Sequence, residues 1–235
     1  MVERETMTEI GITERGDAAL DPGWLPWVES GKPAILISKD PFRLCDALTL
    51  RHSKNLNIIV HATITGFGGA FLEPNVPSVA RSITGYYALC KFLGSKRVVL
   101  RVDPVIPTEK GIETAKFVIS HRESDSRVRI SFIDNYEHVK ERLKSAEAEL
   151  PWDSFHAPLE LRRKAWEELG KPETCGEPDF ECCGCVSEED CKILDVEPIK
   201  KSKKQRTFCT CLANKTELLT HKERCSHGCL YCYWK

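Results

Sequence analysis

Ala34-Ile-Leu-Ile-Ser38, a helical pattern over residues 41–52, and Asn57-Ile-Ile-Val-His-Ala-Thr-Ile64 decide the fold. Two short runs rich in β-branched residues, joined by a segment long enough for a crossover helix, read as two parallel strands and the helix between them. Apolar residues fill each run instead of alternating with polar ones, so these strands are buried on both faces. The same alternation extends outward. Glu9-Ile-Gly-Ile-Thr13 precedes the unit, and Arg97-Val-Val-Leu-Arg-Val102 and Arg127-Val-Arg-Ile-Ser-Phe132 follow it. Helical spacing covers residues 76–93 and 108–120 between them, with Ser78 placed to cap the first. Further helical stretches span residues 136–149, stopped by Pro151, and 158–169. The repeat of strand then helix predicts a parallel α/β protein.

At 235 residues, with 41% hydrophobic residues and a net charge of -1, the chain is sized for one sizeable domain, or for one domain plus a small appendage. That charge balance argues against disorder and against a general nucleic-acid-seeking surface. The polar start Met1-Val-Glu-Arg-Glu-Thr-Met7 supplies no apolar signal core, and no stretch reaches membrane-span length. These features predict a cytoplasmic protein with no membrane partner, in which thiols stay reduced and serve metals. Of twelve cysteines, only Cys45 and Cys90 precede residue 175, and both fall in apolar helical patterns that suit small buried hydrophobes. The other ten crowd into residues 175–232. We therefore divide the chain into residues 1–170, an α/β domain, and 171–235, a metal-binding segment.

Near its end stands Cys225-Ser-His-Gly-Cys229-Leu-Tyr-Cys232. Three thiolates at this spacing suit three irons of a cubane and leave the fourth open for chemistry. Gly228 lets the loop curl, and Tyr231 and Tyr233 are placed to wall it from water. Zinc is the alternative, but it wants four converging ligands, and His227 inside the loop is badly placed to be the fourth.

This string resembles the CxxxCxxC signature of radical S-adenosylmethionine (SAM) enzymes, particularly the spore photoproduct lyase-like branch. The whole chain resembles the family called domain of unknown function 1848, which carries the motif C-terminally. Ile10 to Asp17 is similar to the second barrel strand of such enzymes, and Ile35-Leu-Ile-Ser-Lys39 to the third. His61-Ala-Thr-Ile-Thr65 with Glu73-Pro74 is similar to the fourth, Leu100-Arg101-Val-Asp103 to the fifth, and Ile130 to Asp134 to the sixth. The resemblance implies a partial (β/α) TIM-like barrel, circularly permuted so that the first strand and cluster loop come last. Because the chain stops three residues after Cys232, the usual first helix is unsupplied, leaving its place open, filled by N-terminal residues, or covered by a partner.

The resemblance further implies a [4Fe-4S] cluster on Cys225, Cys229 and Cys232, cleavage of SAM to a 5′-deoxyadenosyl radical, and an electron donor such as ferredoxin or flavodoxin. Its SAM-contacting candidates are Asp17, Lys39, Thr65 and Arg101, the last as a guanidinium fork for a carboxylate. The chain departs from the family pattern at Thr13-Glu14-Arg15-Gly16-Asp17 and at Ser38-Lys39-Asp40-Pro41, two of the loops that hold those contacts. Cys175, Cys183 or Cys185, Cys209 and Cys211 also fall where the family has cysteines. Four thiolates suffice for a fully ligated auxiliary cluster or for zinc, and we expect a second [4Fe-4S] cluster, with Cys183 taken from that pair as its ligand. The substrate is unknown. Two other readings stay open: a nucleic-acid repair enzyme, to which Lys200-Lys-Ser-Lys-Lys-Gln-Arg206 would contribute, and a non-catalytic iron–sulfur or zinc module.

Overall fold

The structure, a computed structural model, describes residues 9–51, 56–201, 207–219 and 225–234. The five expected strands form: β1 (Ile10–Ile12), β2 (Ala34–Ser38), β3 (Ile58–Thr63), β4 (Val98–Val105) and β5 (Val128–Phe132). Helices α1 (Leu25–Glu29), α2 (Pro41–Arg51), α3 (Val79–Leu93), α4 (Glu109–Ile119), α5 (Glu137–Ser145) and α6 (Leu159–Glu168) lie between or after them. The cysteine-rich segment adds β6 (Glu173–Thr174), α7 (Glu188–Ile193) and β7 (Lys215–Glu217), none of which the apolar pattern announces. All seven strands pair in parallel in the order β6-β5-β4-β3-β2-β1-β7, a sheet curled into a half-barrel.

Successive side chains of a strand point to opposite faces, so each central strand feeds two cores. Ala34 and Leu36 of β2, Val60 and Ala62 of β3, and Leu100 and Val102 of β4 pack against Leu44, Leu48, Tyr86, Leu89 and Val118 of the helices. Ile35, Ile37, Ile59 and Val99 face the other way, with Ile10 and Ile12, and meet Cys175, Cys185, Val186, Cys191, Cys209 and Cys211. The cysteine-rich segment thus covers the face that the helices leave bare. Each fully buried Ile or Leu contributes roughly 1.5–3 kcal/mol. Cys45 and Cys90 are buried hydrophobes in the helix layer, as expected.

One local expectation needs correction. Ser78 occupies the N-cap of α3, but its side chain makes no capping bond. Thr108 does cap α4, its side chain accepting from the Gly111 amide. The basic run lies outside the described residues beyond Lys201, as do the first eight residues named for the place of the missing helix. Among the described residues, no helix is long and apolar enough to cross a membrane.

Candidate metal and cofactor site

Because every strand is parallel, the loops that follow β1 to β5 gather at one edge of the sheet, the edge where barrels place chemistry. A cavity of about 390 Å³ opens there. Its lining includes Cys225, Cys229 and Cys232 from the chain's end, and Asp17, Lys39 and Arg101 from strands or the residues that follow them. The structure therefore brings together six residues that sequence reasoning had singled out.

The cysteine loop is held by ionic hydrogen bonds to those strand ends. Asp17 is buried and accepts from Ser38 Oγ at 2.6 Å, from the Lys39 amide at 2.7 Å and from the Ala19 amide at 2.8 Å. Its Oδ2 also lies 2.8 Å from His227 Nε2, while His227 Nδ1 lies 3.3 Å from the Asn75 carbonyl. Both neighbours of the ring are acceptors, so both ring nitrogens carry protons and the ring is an imidazolium. Burial opposes charge on both partners, but the bond between them outweighs it, lowering the Asp17 pKa and raising that of His227. With both nitrogens engaged, His227 has none left for a metal.

A second bond set holds Tyr231. Lys39 Nζ donates to Glu73 Oε1 at 2.9 Å, to Tyr231 Oη at 2.9 Å and to the Asp103 carbonyl at 3.1 Å, and Tyr231 Oη donates to Glu73. Burial would lower the Lys39 pKa, but Glu73 and Cys229 outweigh it and keep the ammonium charged. Burial pushes the Cys229 thiol up to about 12, with Lys39 pulling against it, so a bound metal is what would bring out its thiolate. The backbone of the loop is tied as well. Asn75 donates to the carbonyls of Ser226 and His227, Leu230 N–H donates to the Leu72 carbonyl, and Arg142 of α5 donates to the carbonyls of Cys232 and Trp234. Gly228 sits at φ +66, as the expected curl requires.

Two SAM-contact candidates behave differently from expectation. Thr65 is buried behind the cavity wall, donating from its hydroxyl to Glu73 Oε2 at 2.7 Å, so it positions Glu73 and does not line the cavity. Arg101 lines the cavity but its guanidinium already pairs with Asp103, and its Nε has no hydrogen-bond partner among the described residues. The fork is therefore partly spent on a neighbour two residues away.

The second cysteine group lies deeper. Cys175, Cys185, Cys209 and Cys211 are buried together, Cys185 also reaching the cavity wall. Cys183, the other candidate of its pair, is only half-buried. Its amide donates to the Thr174 carbonyl, its sulfur turns towards Glu173, and Gly184, at φ +72, reverses the chain so that Cys185 points inward instead. Sequence reasoning also missed Glu14, whose carboxylate comes within 4.8 Å of the Cys185 and Cys211 sulfurs. Burial pushes the Glu14 pKa up to about 7. No pattern around Glu14 could have flagged this, since the contact joins positions far apart in sequence.

Residues 29–234 match the family described as Domain of unknown function (DUF1848). The chain belongs to this family. The match covers most of the half-barrel and both cysteine groups of this DUF1848 member. No curated protein and no solved structure matches the chain.

Proposed function

We propose that this DUF1848 protein is a radical SAM enzyme of unknown substrate, with a [4Fe-4S] cluster on Cys225, Cys229 and Cys232. The observation that carries this reading is the withdrawn histidine. Three thiols of one loop line the cavity, which Cys185 of the deep group also reaches, while the other soft donor within that loop, His227, is bonded at both nitrogens. Three cysteines whose loop offers no fourth ligand suit a cubane with one open iron better than a closed zinc site.

Such a cluster, when bound and reduced by a ferredoxin or flavodoxin, supplies the electron that cleaves SAM to a 5′-deoxyadenosyl radical able to take hydrogen from a substrate. The chain's own residues do the rest. Asp17 and Glu73 fix the loop's two ends through His227 and Tyr231, so the cysteines keep their spacing. The Lys39 ammonium, beside Cys229, offsets thiolate charge. Arg101 brings its guanidinium to the cavity wall, where it can pair with a carboxylate as it does with Asp103. Phe132, Tyr136 and Trp234 form an apolar wall that keeps water from the site.

The same reading explains the order of the strands. β7, the strand that leads into the cysteine loop, is last in the chain yet pairs with β1 over Ile10↔Lys215 and Ile12↔Glu217. A barrel whose first strand and cluster loop had been moved to the end would have that pairing. The test is anaerobic reconstitution with iron and sulfide. Wild type should hold about four irons on this loop, lost in the triple variant Cys225→Ala/Cys229→Ala/Cys232→Ala, and the electron paramagnetic resonance spectrum of reduced protein should change on adding SAM. A spectrum indifferent to SAM would refute the proposal.

A further inference from the structure

The deep cysteines are packed unlike those of the loop. Cys175 Sγ lies 3.4 Å from Cys185 Sγ, and Cys209 Sγ lies 3.1 Å from Cys211 Sγ. The Cys185 amide donates to Cys211 Sγ at 3.1 Å, and these two sulfurs and the Glu14 carboxylate lie within 4.8 Å of one another, so the four sulfurs form a chain from Cys175 through Cys185 and Cys211 to Cys209. Four thiolates around one tetrahedral ion, each at about 2.3 Å, stand roughly 3.8 Å apart. A cubane instead sets each thiolate on a separate iron, outside a core that also holds four sulfides. Sulfurs at 3.1 and 3.4 Å are much nearer the first spacing than the second, so a single ion suits this group better than the expected auxiliary [4Fe-4S] cluster.

The surroundings carry the second argument. Arg129 is fully buried and Arg101 nearly so, and each interacts with Cys175. Arg129 Nη1 and Arg101 Nε have no hydrogen-bond partner among the described residues. Buried donors left without acceptors cost free energy unless something anionic faces them. Four neutral thiols do not meet that need. A divalent ion held by four thiolates carries two negative charges and does.

We propose that Cys175, Cys185, Cys209 and Cys211 bind a single zinc-type divalent ion at the floor of the cavity. The ion joins two knuckles of chain, residues 183–185 and 209–211, that already touch. Thr210 Oγ1 donates to the Cys182 carbonyl at 2.8 Å, and a side chain at Gly184 would strike the Cys211 amide nitrogen at 2.7 Å. Through the second knuckle it anchors the chain that enters β7, and so the placement of β7 on β1. This inference does not depend on the radical SAM reading, because the loop cysteines take no part in it.

The test uses full-length protein purified without added metal. Metal analysis should find about one zinc per chain, and the zinc should persist in the variant Cys225→Ala/Cys229→Ala/Cys232→Ala, whatever happens to its iron. X-ray absorption at the zinc edge should show sulfur neighbours at about 2.3 Å and no iron nearby. The double variant Cys185→Ser/Cys211→Ser should lose the zinc; if it does not fold, the loop variant and the absorption spectrum still decide. About four irons with acid-labile sulfide remaining in the loop variant, or zinc with no sulfur neighbours, would overturn the proposal.

Discussion

The two cysteine groups show two ways of gathering thiols at one end of a sheet. In the loop of Cys225, Cys229 and Cys232, hydrogen bonds do the building: Asp17, Glu73, Asn75 and Arg142 fix the backbone and the two side chains between the cysteines, and the sulfurs are turned to a cavity. In the group of Cys175, Cys185, Cys209 and Cys211, the sulfurs touch one another, and below them buried charges brace the segment. The first arrangement leaves ligands aimed at open space, which suits chemistry. The second closes on itself, which suits a staple.

Breaking the brace should have the largest effect on stability. Asp190 is fully buried, with Arg127 at 2.5 Å and Arg129 at 3.6 Å. Asp190→Asn leaves Arg129 short of a counter-charge in the core and should cost about 3–5 kcal/mol in chemical denaturation. Its pH dependence has a definite sign. Burial would raise the Asp190 pKa, but the two arginines outweigh it and hold the carboxyl below its ordinary 3.8. The stabilisation is therefore fully present above that pH and disappears as pH falls through the lower folded value. Asp190→Asn should abolish that part of the acid limb, and an unchanged limb would show that Asp190 is not braced as described.

Next in size is the loop. Asp17→Asn removes the charge facing His227 and should cost about 2–3 kcal/mol, while iron loading of the loop falls and zinc in the deep group stays. Loss of both metals together would mean the two groups are not independent. The smallest pair compares the two turns. Gly184→Ala forces a side chain at φ +72 against the Cys211 backbone and should cost about 2 kcal/mol or more, whereas Gly228→Ala, at φ +66, comes nearest the end of the Asn75 side chain at 3.2 Å and should cost about 1–2 kcal/mol. Thermal unfolding of the two variants checks that order.

Much of the fold was legible because β2 to β5 are apolar runs that announce themselves without tertiary help, as in Ala34–Ser38. β6 and β7 were not. Glu173–Thr174 is too short to read, and Lys215–Glu217 is polar and becomes a strand through its pairing with β1. In the site, Asp17 and Lys39 were legible as residues following strands, but their partners His227 and Tyr231 come from the far end of the chain. Cys183 and Cys185 could not be told apart by spacing, because the turn at Gly184 decides which of them faces the group. Arg142 and Glu14 left no local signal at all, since each acts on residues remote in sequence.

The central claim is that the loop supports SAM cleavage. Protein reconstituted with iron and sulfide under strict anaerobiosis, then reduced and mixed with SAM, should form 5′-deoxyadenosine, and Cys229→Ala treated identically should form none. Equal amounts from both proteins, or none from a wild type whose loop is fully loaded with iron, would contradict the account.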